Sequence, residues 1–70
     1  MKAILLTMDG CEPCDDLRGR FADLIDSGEV VEKNLERDET EVSEIMAKYD
    51  ISEIPSLLVI SDKGELILSL

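Results

Sequence analysis

Short runs of consecutive apolar residues alternate along this chain with segments whose apolar residues recur every three or four positions. The runs at residues 3–7 and 56–60 are short and continuous, which is typical of strands buried on both faces of a sheet. Residues 29–35 mix valines with charged residues, which predicts a more exposed strand at an edge. Residues 65–70 alternate, with Leu66, Leu68 and Leu70 expected on one face. They predict a second edge strand, which forms a hairpin with 56–60 through the turn at 61–64.

Two segments between these runs have the spacing of amphipathic helices. The first covers residues 13–27, its apolar face consists of Leu17, Phe21, Leu24 and Ile25, and Gly28 supplies its C-terminal stop. The second runs from a capping box of Asp38 and Glu41, with Thr40 as an alternative cap, to about Tyr49. Its apolar face consists of Val42, Ile45 and Met46. The predicted order is therefore β-α-β-α-β-β, an α/β fold with one four-stranded mixed sheet in a single domain spanning residues 1–70.

The composition and net charge of the chain argue against several classes of function. The chain has 70 residues, of which 44% are hydrophobic, and its formal net charge is −10. Nucleic-acid binding draws its affinity from Lys and Arg, so we expect no nucleic-acid partner and no anionic membrane partner. The first apolar run is shorter than the core of a signal peptide, and no run reaches the length of a membrane span. We therefore expect a cytoplasmic protein. We also expect a monomer rather than a homodimer.

The candidate chemistry lies in the only two cysteines, Cys11 and Cys14, which are three residues apart. If a helix begins here, their Cα atoms lie about 5 Å apart, a separation that a disulfide can bridge. Pro13 suits a first helical turn, and the helix N-terminus favours the thiolate form of Cys11. The spacing alone also permits half of a zinc site, a structural disulfide, or two small residues that are simply buried. A zinc site usually needs four Cys or His ligands, and this chain has no third Cys and no His, so redox chemistry is favoured and no metal is expected.

The order of elements, together with the Cys-x-Pro-Cys motif and residues 48–66, resembles the thioredoxin and glutaredoxin family. Residues 48–60, Lys-Tyr-Asp-Ile-Ser-Glu-Ile-Pro-Ser-Leu-Leu-Val-Ile, and residues 62–66, Asp-Lys-Gly-Glu-Leu, resemble the thioredoxin stretch that carries a cis-proline and the final hairpin. The resemblance covers nearly the whole chain at glutaredoxin-like length. It implies a minimal thioredoxin fold in which the C-terminal helix is absent.

The resemblance also implies roles for individual residues. Cys11 would be the nucleophile and Cys14 the resolving thiol, Pro55 would be a cis-proline facing the disulfide, and Ile54 would offer its backbone to a bound substrate strand. The expected active-site neighbours are Gly10, Glu12 and Pro13. Thioredoxins have Trp and Gly at the positions of Gly10 and Glu12, and a buried Asp at the position of Leu5. No general base for Cys14 is therefore assigned.

The function expected from the resemblance is reduction of protein disulfides by the Cys11 and Cys14 dithiol, with no bound cofactor. An NADPH-linked, thioredoxin reductase-like enzyme or glutathione would restore the dithiol, and the family suggests ribonucleotide reductase among the substrates. One alternative is a glutathione-dependent glutaredoxin. The other is a non-catalytic redox sensor or interaction module of thioredoxin fold.

Overall fold

The computed structural model describes all 70 residues and has four strands and three helices. In chain order the elements are β1 (Lys2–Thr7), α1 (Glu12–Arg20), α2 (Ala22–Ser27), β2 (Val30–Asn34), α3 (Glu39–Tyr49), β3 (Ser56–Ile60) and β4 (Leu66–Ser69). This confirms an α/β fold.

The four strands form one mixed sheet in the order β2-β1-β3-β4. β1 pairs with β2 in parallel and with β3 antiparallel, and β3 pairs with β4 antiparallel. The predictions that β2 and β4 are edge strands and that β3 is central are confirmed. β1 and β2 end at Thr7 and Asn34, and β3 begins at Ser56, all at one end of the sheet. We call this end, from which the chain enters the cysteine segment, the cysteine end.

Alternate residues of β1 supply two apolar clusters, one on each face of the sheet. Ile4 and Leu6 join a cluster that packs under α3, where Val42 is fully buried. Leu5 belongs to a second cluster that also contains Val30 and Leu57 and packs under α1 and α2. Since successive side chains of a strand point to opposite faces, a run without polar residues is what a strand between two helical layers requires.

The single helix predicted over residues 13–27 is wrong, because the segment divides into α1 and α2 at Phe21. Phe21 has φ −105° and ψ 16°, outside the helical range, and Gly19 just before it is a weak helix former. Hydrogen bonds from Phe21 N to Leu17 O and from Ile25 N to Phe21 O run through the break. Leu17, Phe21 and Ile25 consequently still pack on the second cluster. The predicted stop at Gly28 is confirmed, with φ 85°.

The predicted capping box of α3 does not form. Asp38 occupies the N-cap position, but its side chain makes no capping hydrogen bond. Its carboxylate instead accepts hydrogen bonds from Asn34 N at 3.2 Å and from Arg37 Nε at 3.0 Å. Glu41 forms an ion pair with Lys33. The side chains of Asp38 and Glu41 therefore bind donors on β2 and in the following turn instead of each other's backbone N–H groups.

The predicted alternation of β4 is also wrong, because a bulge interrupts its pairing with β3. Leu66 lies opposite Ile60, whereas Leu68 lies opposite the adjacent residue Val59. Paired residues share a face and adjacent residues do not, so Leu66 and Leu68 point to opposite faces. Leu66 packs on the first cluster, and Leu68 is left exposed on the other face.

Candidate active site

The two cysteines lie where β1 passes into α1 at the cysteine end of the sheet. Gly10 turns the chain with φ 68°, and Cys11 is extended with φ −115° and ψ 107°. α1 begins at Glu12, with Pro13 in its first turn. Proline fits there because the first N–H groups of a helix have no partner within it. The turn at Gly10 and the helix start at Glu12 therefore place Cys11 at the N-terminus of α1.

Cys11 and Cys14 form a disulfide, with their Cα atoms 5.2 Å apart. Cys11 is the N-cap of α1, and its Sγ accepts a hydrogen bond from Cys14 N at 3.1 Å. The first turn of a helix directs unpaired N–H groups and positive potential at this position. The same environment would stabilise negative charge on the Cys11 sulfur after reduction.

The two cysteines differ in exposure. Cys11 is 8% exposed, whereas Cys14 is completely buried. Cys11 is therefore the only cysteine of the pair with any exposed surface.

Pro55 and Ile54 lie at the cysteine end, immediately before β3. The peptide bond between them is cis, as the resemblance implies. Ser56 pairs with Leu6, one residue before the end of β1, so the sheet register brings this segment to the end of the sheet that carries Cys11. Ile54 is half-buried, and its side chain packs on the first cluster.

Sequence reasoning missed a buried polar network beneath the start of α1. Thr7 is fully buried and its hydroxyl donates to Glu32 Oε2 at 2.7 Å. Arg18 Nε donates to the same carboxylate at 2.8 Å, and its Nη1 donates to Asp15 Oδ1 at 2.6 Å. Arg18, which the sequence suggests is a solvated charge, therefore ties α1 to β2. Glu32 lies opposite Leu5 in the register of the sheet.

The surroundings of Glu32 act on its pKa in opposite directions. Partial burial raises the pKa, whereas the hydrogen bonds from Thr7 and Arg18 and the positive charge of Arg18 lower it. The hydrogen bonds and the charge outweigh burial, and the pKa of Glu32 lies below its usual range. The carboxylate is thus held ionised by its partners.

The segment that carries the cysteines is also anchored to the end of β2. Asn34 Nδ2 donates to Asp9 Oδ1 at 3.3 Å, and Asp9 N donates to Glu36 Oε2 at 2.9 Å. The Asn34 amide oxygen accepts from Glu36 N and Arg37 N. These contacts fix the turn that precedes Cys11. The only sign of this anchor in the sequence is the polar residue Asn34 at the end of a strand.

No cluster of three or more His, Cys, Asp or Glu side chains in the chain is arranged to hold a metal ion. No helix is long and apolar enough to cross a membrane.

Comparisons with protein-family models, with curated proteins and with solved structures find no match for this chain.

Proposed function

We propose that this protein is a thiol-disulfide oxidoreductase that reduces protein disulfides, with Cys11 as the nucleophile and Cys14 as the resolving thiol. The observation that carries the proposal is the disulfide at the N-terminus of α1, in which only Cys11 is partly exposed. A purely structural disulfide that closes so small a loop would restrict the unfolded chain little. A helix N-terminus is, by contrast, a site that makes a cysteine reactive.

The reaction begins with the reduced dithiol. The Cys11 thiolate attacks one sulfur of the substrate disulfide, forms a mixed disulfide and expels the other substrate sulfur as a thiolate. Cys14 loses its proton and attacks the Cys11 sulfur, which expels the second substrate thiolate and forms the Cys11–Cys14 disulfide. The substrate gains two electrons and the protein loses two. The oxidised protein is returned to the dithiol by an external reductant, either the dithiol of an NADPH-linked reductase or glutathione.

A thioredoxin-like fold belongs to the same proposal. It is supported by the order of the elements, by β2 and β1 running parallel beside an antiparallel β3, and by the position of Pro55 at the cysteine end. A backbone segment beside Pro55, including Ile54, would receive the substrate chain. Disulfide-containing proteins, ribonucleotide reductase among them, are the proposed substrates.

Reduction of insulin disulfides in the presence of dithiothreitol tests the function. The wild-type protein is expected to accelerate precipitation of the insulin B chain over dithiothreitol alone, and Cys11→Ser is expected to abolish the acceleration. No acceleration by the wild type, or equal acceleration by Cys11→Ser, would contradict the proposal. Recycling by glutathione with glutathione reductase, compared with recycling by thioredoxin reductase, separates the two candidate reductants.

A further inference from the structure

A groove of about 330 Å³ opens at the cysteine end, between the segment before β3 and the end of β4. It is lined by Asp50, Ile51, Ser52, Glu53, Pro55, Ser56, Ser69 and Leu70. Ser56 lies opposite Leu6 and Leu70 exchanges two backbone hydrogen bonds with Leu57, so the sheet fixes both walls. The groove therefore lies at the end of the sheet from which the chain proceeds to Cys11.

The charge of this groove is entirely negative. Asp50 and Glu53 are exposed, neither forms an ion pair, and no Lys or Arg lines the groove. In the helix that follows Cys11, Glu12 and Asp16 are also exposed and without ion pairs. Unpaired carboxylates therefore lie both in the groove and in the N-terminal part of α1.

The cations of the chain do not neutralise these carboxylates. Three are bound to other acids: Arg18 to Asp15 and Glu32, Lys33 to Glu41, and Arg37 to Asp38. Lys63 lies in the β3–β4 turn at the opposite end of the sheet, and Lys48 lies over the ring of Tyr49, whose hydroxyl bonds to Gly64 of that turn. Lys2 and Arg20 form no ion pair, and none of the seven cations of the chain lines the groove.

We infer that the partner of the Cys11–Cys14 site is a protein segment in which basic residues flank the reactive cysteine, and that this segment lies in the groove beside Pro55. The inference rests on the proposed function. Two independent observations support it: a disulfide in which only Cys11 has exposed surface, and a groove at the same end of the sheet whose exposed carboxylates complement a basic chain. Opposite charges raise the encounter rate and align the partner, whereas an anionic partner is repelled.

Two matched hexapeptides test the inference. Each contains one cysteine in a mixed disulfide with thionitrobenzoate, and the cysteine is flanked by lysines in one peptide and by glutamates in the other. The reduced protein is expected to release thionitrobenzoate about ten times faster from the lysine peptide at low salt, and the ratio is expected to approach unity near 1 M salt. Each rate constant is divided by that for 2-mercaptoethanol with the same peptide, which removes differences in intrinsic peptide reactivity.

A pair of double variants separates the groove from the overall charge of the protein. Asp50→Asn with Glu53→Gln is expected to lower the normalised preference for the lysine peptide at least about threefold. Asp26→Asn with Glu65→Gln removes the same two charges from exposed positions away from the groove, and should change the preference much less. Asn at position 50 tolerates the left-handed backbone there, where φ is 55°.

The outcomes distinguish this inference from the function on which it rests. If the wild type reduces both peptides at the same normalised rate, or if the two double variants behave alike, the groove does not select basic partners and the inference is wrong. If the reduced protein releases thionitrobenzoate from neither peptide, the proposed function fails and the inference fails with it.

Discussion

Arg18 Nε donates a hydrogen bond to Glu32 Oε2 at 2.8 Å, which joins the first helix to the edge strand β2. The Arg18 side chain is 37% exposed and that of Glu32 is 17% exposed. Solvent therefore screens the pair in part, but the same carboxylate also accepts from the buried hydroxyl of Thr7. The helix that begins at Cys11 is held to the sheet by this network as well as by apolar packing.

This network predicts a pH dependence of stability that Glu32→Gln will remove. Because the pKa of Glu32 is lowered in the folded protein, its contribution is fully present above the unfolded-chain value of about 4.3 and is lost as pH falls through the lower folded value. Urea unfolding should show that Glu32→Gln costs about 1 kcal/mol near neutral pH, and that the cost shrinks as the solution is acidified through this interval.

Glu65→Gln is the matched control, because Glu65 is exposed and forms no ion pair. It should leave the stability near neutral pH almost unchanged. A cost for Glu32→Gln that stays constant from neutral pH to about pH 3 would show that ionisation of Glu32 does not stabilise the fold.

Thr7→Val tests the buried part of the same network. Valine keeps the shape of the side chain but removes a hydroxyl that is fully buried and donates to Glu32. We expect the free energy of unfolding to fall by about 1–2 kcal/mol, the usual cost when a buried charged acceptor loses a donor. Thr40→Val, at an exposed position of α3, should change stability by less than about 0.5 kcal/mol. Equal effects of the two substitutions in urea unfolding would contradict this role for Thr7.

The sheet was predictable from sequence because its signals are local. The continuous apolar runs locate β1 and β3, and the charged residues among the valines mark β2 as an edge strand. The structure of the cysteine segment could also be predicted from sequence. Gly10 favours a turn, Pro13 favours a first helical turn, and the spacing of the cysteines permits a disulfide.

Features that depend on distant pairing could not be predicted in this way. Arg18 and Glu32 are 14 residues apart in the chain, and only the packing of α1 on the sheet in the folded structure brings them together. The bulge opposite Val59 is invisible in the regular spacing of Leu66 and Leu68. The cis bond between Ile54 and Pro55 was likewise expected only from a family resemblance, since most bonds that precede a proline are trans.

Two glycine substitutions are expected to have opposite effects on stability. Gly19 lies within α1, is exposed, and has no atom within 4 Å of an added Cβ, so Gly19→Ala should stabilise the protein by about 1 kcal/mol through helix propensity. Gly28 has equal space but φ 85°, which an L side chain adopts only with strain, so Gly28→Ala should destabilise by about 1–2 kcal/mol. Thermal and urea unfolding of the two variants check the signs. Stabilisation by Gly28→Ala would show that α2 does not end in the left-handed turn.

The exposure of the two cysteines predicts which single variant accumulates a covalent complex. Cys14→Ser leaves the partly exposed Cys11 thiol free to attack a disulfide but removes the thiol that would resolve the product. Incubation with disulfide-bonded insulin, followed by non-reducing electrophoresis and mass spectrometry, should reveal a mixed disulfide between Cys11 and insulin. Dithiothreitol should release the insulin chain from this complex. Cys11→Ser retains only the completely buried Cys14 and should form at least about tenfold less complex, because reaction depends on access to the thiol. Equal trapping by the two variants would reverse or abolish the assignment of nucleophile and resolving thiol.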